Sequence, residues 1–208
     1  ALLKFRGTDV NVRDRGGWTA LMVAVEEGHL DSVRALLADM RTRVDVKTRN
    51  GWTALMRAAS KGYDEIVKIM LAKGTNVRVR NNKGRTALME ASIKGHLTIV
   101  TDLLDRDAEV NRKDSEGWCA LAYAVREGRT STVKALLSGG ADTNIKTGEG
   151  WTILMQAASR GGTEITRALL ESGAEVNTKN RQGWTAMKIA LGGGHADVTR
   201  LLQEAGAE

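Results

Sequence analysis

The chain has 208 residues, 42% of them apolar and 27% charged, with a formal net charge of +6 at pH 7. No apolar run approaches the roughly 18 residues that cross a bilayer, which excludes a membrane-spanning helix, and the single Cys119 excludes an internal disulfide, in keeping with a reducing, cytoplasmic setting. The charge excludes a basic tail, since acidic residues are interleaved with basic ones throughout, and it gives no more than a weak attraction for acidic surfaces or nucleic acid.

Residues 1–16 read as the end of a truncated unit: a helix remnant at Leu2 and Leu3, then Gly7 to Asn11 leading to a turn at Asp14, Arg15 and Gly16. Ala1-Leu2-Leu3 matches Ala35-Leu36-Leu37 at the end of a later helix, so the chain is expected to begin partway through a unit. From Gly17 a motif opens that returns at Gly51, Gly84, Gly117, Gly150 and Gly183, in steps of 34, 33, 33, 33 and 33, and a fixed period of this size marks a stacked-repeat protein. Its fullest form is Gly51-Trp52-Thr53-Ala54-Leu55-Met56. In the first complete unit, 17–50, Thr19 is expected to cap a helix whose face carries Leu21, Ala24 and Val25, and Gly28 to end it. A second helix follows with Leu30, Val33, Leu36 and Leu37 at helical spacing, then an extended connector, Val44 to Lys47. The same grammar fills 51–83, 84–116, 117–149 and 150–182, with a shorter closing unit at 183–208, so the whole of 1–208 reads as a single domain.

Each helix spans about nine residues, short of the roughly 12–15 at which an isolated helix is even marginally stable. Stability is therefore expected from burying Leu71, Leu104, Leu137 and Leu170 between neighbouring units. Ala24, Ala58, Ala91, Ala124, Ala157 and Ala190 share one repeat position, which points to close helix approach there. With no proline in the chain, the turns depend on glycine and on Asp14, Asn81, Asp114 and Asn180, each three places before a motif glycine. Two second-helix ends depart from the pattern: Asp107 stands where Gly74, Gly140 and Gly173 stand, and Met40-Arg41-Thr42 carries the insertion behind the step of 34. Local strain or mobility is expected at both.

The 33-residue period, the Gly-x-Thr-x-Leu opening, Gly28-His29, Gly95-His96 and Gly194-His195 at the interhelical turn, and Gly140-Ala141 to Asn144 and Gly173-Ala174 to Asn177 closely resemble ankyrin repeats. The resemblance covers essentially the whole chain. It implies an all-α solenoid of antiparallel helix pairs, hairpin-like loops projecting from one side, and a concave binding face. The family's Thr-Pro-Leu-His is Thr-Ala-Leu-Met here, so helix starts should rest on Thr capping and Met packing. Cys119 replaces even the Thr, a change expected to weaken that cap by ~1 kcal/mol.

Catalysis and metal binding find little support. His29, His96 and His195 occupy one slot in different units and so do not converge on one ion; the reading is a turn residue bonded locally to backbone. Cys119 reads as a Thr substitute, with no activating base assigned. Gly139-Gly140, Gly161-Gly162 and Gly192-Gly193-Gly194 read as helix terminators, since no phosphate-loop spacing accompanies them. The expectation is a non-enzyme with no cofactor and no metal.

The tryptophans are more informative. Trp18, Trp52, Trp118, Trp151 and Trp184 each follow the motif glycine, with Arg85 in the remaining unit. The resemblance places this position on the concave face, where Trp and Arg serve either as framework packed on the next loop or as anchors for a partner. The turn pairs and first-helix ends join the same face, and its middle is basic. The candidate partner-binding residues are thus Trp18, Arg49, Trp52, Arg57, Lys61, Lys83, Arg85, Lys94, Trp118, Arg126, Trp151 and Trp184. The leading expectation is a monomeric protein-binding module or scaffold taking another protein or peptide, acidic in the basic middle. A second is single-stranded nucleic acid or nucleotide binding by stacking on the indoles, and a third is the regulatory arm of a larger protein. Origin stays open: Ile66 to Leu71 differs from Ile99 to Leu104 more than repeats of a designed scaffold do, while the compact ending suits a capped, engineered one.

Overall fold

A computed structural model of the chain describes residues 9–148 and 150–208. The expected helix remnant at Leu2 and Leu3, and Glu149 of one turn pair, lie outside the described residues. The described residues form helices in pairs: α1 (Ala20–Glu26) with α2 (Leu30–Ala38), α3 (Ala54–Lys61) with α4 (Asp64–Ala72), α5 (Ala87–Lys94) with α6 (Leu97–Leu104), α7 (Ala120–Arg126) with α8 (Thr130–Ser138), α9 (Ile153–Ser159) with α10 (Thr163–Glu171), and α11 (Ala186–Gly192) with α12 (Ala196–Glu204). No strand occurs among the described residues, and an isolated antiparallel bridge joins Lys146 and Thr152.

The first helix of each pair starts where a hydroxyl satisfies an amide that has no partner within the helix. Thr19, Thr53, Thr152 and Thr185 accept from the amide three residues on at 3.3, 3.3, 3.1 and 3.3 Å. Cys119 takes the same place, its Sγ 3.5 Å from the Ala122 amide. Burial pushes the Cys119 thiol pKa up, so the sulfur is a neutral capping atom and not a thiolate.

The described residues fall into two compact units. The first ends at Ala91 and takes in Thr98–Ala108; the second takes in Ser92–Leu97 and runs from Glu109 to Glu208. In the first, α1 packs on α2 and α3, α3 on α4, and α2 on α4, around Leu21, Met22, Val25, Leu55, Met56 and Met70. In the second, α9 packs on α7, α10 and α11, while α8, α10 and α12 follow one another outside them, around Leu121, Leu136, Leu154, Met155 and Leu169. Full burial of such a side chain contributes about 1.5–3 kcal/mol, which is how helices of this length hold together. The repeated alanine is buried in every copy.

One core expectation needs correction. Leu71 is buried, but Leu104, Leu137 and Leu170 are half-buried, and the preceding residues, Met70, Leu103, Leu136 and Leu169, are the fully enclosed ones. A helix turns about 100° per residue, so the second of two adjacent apolar residues falls at the margin of the buried stripe.

An asparagine ladder stitches successive connectors. Asn111, Asn144 and Asn177 donate from Nδ2 to the carbonyls of Gly140, Gly173 and Gly206 at 3.1, 3.3 and 3.0 Å. Their Oδ1 atoms accept from the amides of Asp142, Glu175 and Glu208 at 2.7, 2.9 and 3.0 Å. Asn11 does the same in the first unit, with the Arg41 carbonyl and Arg43 amide. Asp45 and Arg78 stand in the remaining copies: Asp45 only accepts, from the Asn76 amide, and Arg78 only donates, to the Asp107 carbonyl.

The two irregular helix ends behave differently. Asp107 has φ 56°, the only non-glycine in the left-handed region among the described residues, so strain is present there. At the insertion the chain is instead pinned by side chains. Thr42 Oγ1 donates to the Leu36 carbonyl at 2.6 Å, and Arg41 pairs with Asp39 at 2.6 Å, holding the Asp39 pKa at about 2.

Candidate functional site

Each tryptophan is placed by the turn before it. Asp14 Oδ1 accepts from the amides of Gly16 and Trp18 at 2.7 and 2.8 Å, Asp114 from Glu116 and Trp118 at 2.9 Å each, and Asn180 from Gln182 and Trp184 at 3.0 and 2.9 Å. Asn81 does this for Arg85. Before Trp52 the acceptor is Thr48 Oγ1, at 3.1 Å; before Trp151, Thr147 Oγ1 points the other way and donates to the Trp151 carbonyl at 3.4 Å. At Gly51 the glycine is required by its neighbours as well as by φ: a Cβ there, at φ 78°, would sit 2.7 Å from the Asn82 amide nitrogen.

In the first unit the indoles are joined by an arginine. The Arg57 guanidinium carbon lies 4.9 Å from the Trp18 ring centroid and 4.4 Å from that of Trp52, a cation between two π faces. Glu26 completes the cluster, 3.7 Å from Arg57 Nη1 and 2.8 Å from Lys61 Nζ, and its hydrogen bond pushes the Lys61 pKa up. Arg85 Nη1 lies 3.7 Å from the buried Glu90 carboxylate. Arg49 and Lys83 are exposed on the turns of this unit.

The second unit is arranged otherwise. Trp118 stacks on the fully buried Tyr123, ring centroids 5.4 Å apart, and the Tyr123 hydroxyl donates to Asp114, the residue that also holds the Trp118 amide. Arg126 lies over both rings at 4.8 and 4.9 Å, its Nε donating to Glu127 at 2.9 Å. Trp118 and Trp151 then flank a cleft of about 380 Å³, lined also by Glu116, Thr147, Gly148 and Gln156. Trp151 and Trp184 flank another of about 460 Å³, with Asn180, Gln182, Ile189 and Gly192. Trp184 is the most open of the indoles, 47% exposed, and Lys94 is exposed at the end of α5.

The residues that distinguish the units occupy one repeat position, the sixth after the motif glycine: Val23, Arg57, Glu90, Tyr123, Gln156 and Ile189. Sequence reasoning singled out Arg57 for its charge alone and passed over Glu90, Tyr123, Gln156 and Ile189. The available signal was contrast, because this freely varying position immediately precedes the invariant alanine.

The histidines need one adjustment. His29 and His195 stand at the N-caps of α2 and α12 without capping through the side chain. His195 Nε2 instead lies 3.3 Å from the Ser159 carbonyl, so it joins two repeats where a local bond was expected. Among the described residues no group of three or more His, Cys, Asp or Glu is placed to hold a metal ion, and no helix is long and apolar enough to cross a membrane.

Paired short helices, glycine-ended turns and a bridging asparagine ladder at a 33-residue period meet a match in sequence as well. The family model described as ankyrin repeats (3 copies) matches residues 1–81, 37–114, 65–147 and 121–208. The chain belongs to the ankyrin-repeat family. Ankyrin repeats are in general protein–protein interaction modules and typically non-enzymatic scaffolds, and the all-helical paired architecture is that of an ankyrin solenoid. No curated protein sequence matches the chain.

Proposed function

We propose that this ankyrin-repeat chain is a non-enzymatic module that binds another protein through its tryptophan-bearing turns and the adjoining starts of the first helices, with Trp118, Trp151 and Trp184 as the main anchors. The observation that carries this reading is the pair of clefts in the second unit, each walled by two indoles and unfilled by the side chains of the described residues. Binding energy concentrates where a partner side chain enters such a desolvated aromatic slot. Arg57, Lys61, Arg85 and Arg126 each lie beside a carboxylate of the same unit, which weighs against a surface that tracks phosphates.

Capture from lysate, read by mass spectrometry with wild type against Trp151→Ala and Trp184→Ala, tests the reading. The expected outcome is at least a tenfold (~1.4 kcal/mol) loss of the captured protein with far-UV circular dichroism unchanged. Undiminished capture by both variants overturns it.

A further inference from the structure

We infer that the cleft between Trp118 and Trp151 receives an arginine side chain from a basic segment of the partner. This rests on the protein-binding reading and specifies what that site recognises.

The chain itself holds a precedent. Six residues after Gly51, Arg57 reaches between Trp18 and Trp52 and lays its guanidinium against both rings. Six residues after Gly150 stands Gln156, lining the cleft between the next such pair, Trp118 and Trp151. The same slot is therefore filled by the chain's own cation in one unit and left open over an amide in the other.

The amide itself points the same way. Gln156 is 8% exposed, and its Oε1 is buried with no hydrogen-bond partner among the described residues. A buried acceptor without a donor is destabilising by the cost of its desolvation, and such groups call for an explanation where they persist. A ligand N–H entering the cleft supplies the missing donor.

Charge selects the same group. Glu116 is exposed and lines the cleft, providing the carboxylate that Glu26 provides beside Arg57. Arg126 lies on Trp118 but does not line the cleft, and its own Nε is committed to Glu127 at 2.9 Å. Two indoles, an acceptor and a carboxylate together fit one group well. A guanidinium is planar, cationic and carries several N–H donors in a fixed fork. A lysine ammonium has charge and donors but no plane to stack, a quaternary ammonium has no donor for Gln156, and an anion meets Glu116 and a lone pair. The neighbouring cleft between Trp151 and Trp184 has Ile189 in the place of Gln156 and no carboxylate among its lining residues.

The experiment is a titration of ¹⁵N-labelled protein with Nα-acetyl-arginine amide, following the indole N–H signals of the five tryptophans, each assigned by a Trp→Phe variant. The expected result is saturable movement of the Trp118 and Trp151 signals, with Nα-acetyl-lysine amide and its trimethyl form weaker by at least about fivefold. Gln156→Leu should weaken binding about three- to tenfold, Gln156→Glu should tighten it, and Gln156→Arg should abolish it by filling the slot as Arg57 does. No saturable shift at Trp118 and Trp151, equal affinity for the lysine compounds, or full binding by a folded Gln156→Arg protein would overturn the inference. Lysate capture on the same samples separates the two readings. Capture that depends on Trp151 without arginine-amide binding overturns the arginine assignment alone, whereas capture independent of Trp151 and Trp184 overturns the protein-binding reading itself.

Discussion

Between Trp18 and Trp52 the first unit places its own arginine; between Trp118 and Trp151 the second unit places a glutamine whose buried oxygen meets no partner. The framework shows the opposite contrast. The second unit keeps the regular elements, with Asn111, Asn144 and Asn177 bridging successive connectors and Gly140 and Gly173 ending helices at φ 83°. The first departs from them, with Asp45 and Arg78 in the asparagine ladder, Asp107 in a glycine position and an inserted residue after α2. The regular unit carries the open clefts, and the irregular one has closed its tryptophan slot from within. The proposed binding role falls on the sixth position, which varies while the framework repeats.

The largest expected effect is on the closed slot. Arg57→Ala removes the guanidinium from between two indoles and leaves Glu26 with Lys61 alone, for an expected loss of about 2 kcal/mol in urea unfolding. Gln156→Leu, by contrast, should be neutral or stabilising by up to about 1 kcal/mol, since it removes an acceptor that no protein group satisfies. Equal losses at the two positions would break the comparison.

Next in size is the helix end at Asp107. Asp107→Gly relieves a side chain held at φ 56° and is expected to raise stability by about 1 kcal/mol, whereas Gly140→Asp should lower it by a similar amount. Urea midpoints of the two variants check the pair.

Asp45→Asn should restore the missing rung, adding a donor toward the Gly74 carbonyl, for about 0.5–1 kcal/mol. Burial raises the Asp45 pKa, partly opposed by the Asn76 amide, so its ionised form is disfavoured on folding. That cost is absent below the ordinary carboxyl value of 3.8 and grows as pH rises through the folded pKa. The gain from Asn should thus be larger at pH 7 than at pH 3, and a larger gain at pH 3 would contradict the assignment. The smallest expected effect is at Cys119, where the sulfur itself accepts from the Ala122 amide, so replacement by Thr changes stability by about 0.5 kcal/mol or less and not by the ~1 kcal/mol expected from the sequence; the native thiol should react with Ellman's reagent only as the cap opens.

Much of the fold was legible because the repeat is redundant. Thr19, Thr53, Thr152 and Thr185 announced the helix starts, and Asp14, Asn81, Asp114 and Asn180 the turns, since each acts within a few residues of itself. The tryptophan series was equally plain in position. What was not legible is which indoles are already engaged, because that depends on residues brought in from the helix behind: Arg57 between Trp18 and Trp52, and Tyr123 and Arg126 on Trp118. The choice of Leu103, Leu136 and Leu169 over Leu104, Leu137 and Leu170 as core residues was likewise set by the rotation of each helix against its neighbours, which spacing alone does not fix.

On this reading the residue six places after the motif glycine decides whether a tryptophan slot is closed or open. Exchanging the two residues tests it most directly, in the double variant Arg57→Gln with Gln156→Arg, titrated with Nα-acetyl-arginine amide while the five indole N–H signals are followed. The ligand-induced shifts should leave Trp118 and Trp151 and appear at Trp18 and Trp52. Shifts that stay on Trp118 and Trp151 in the exchanged protein would contradict it.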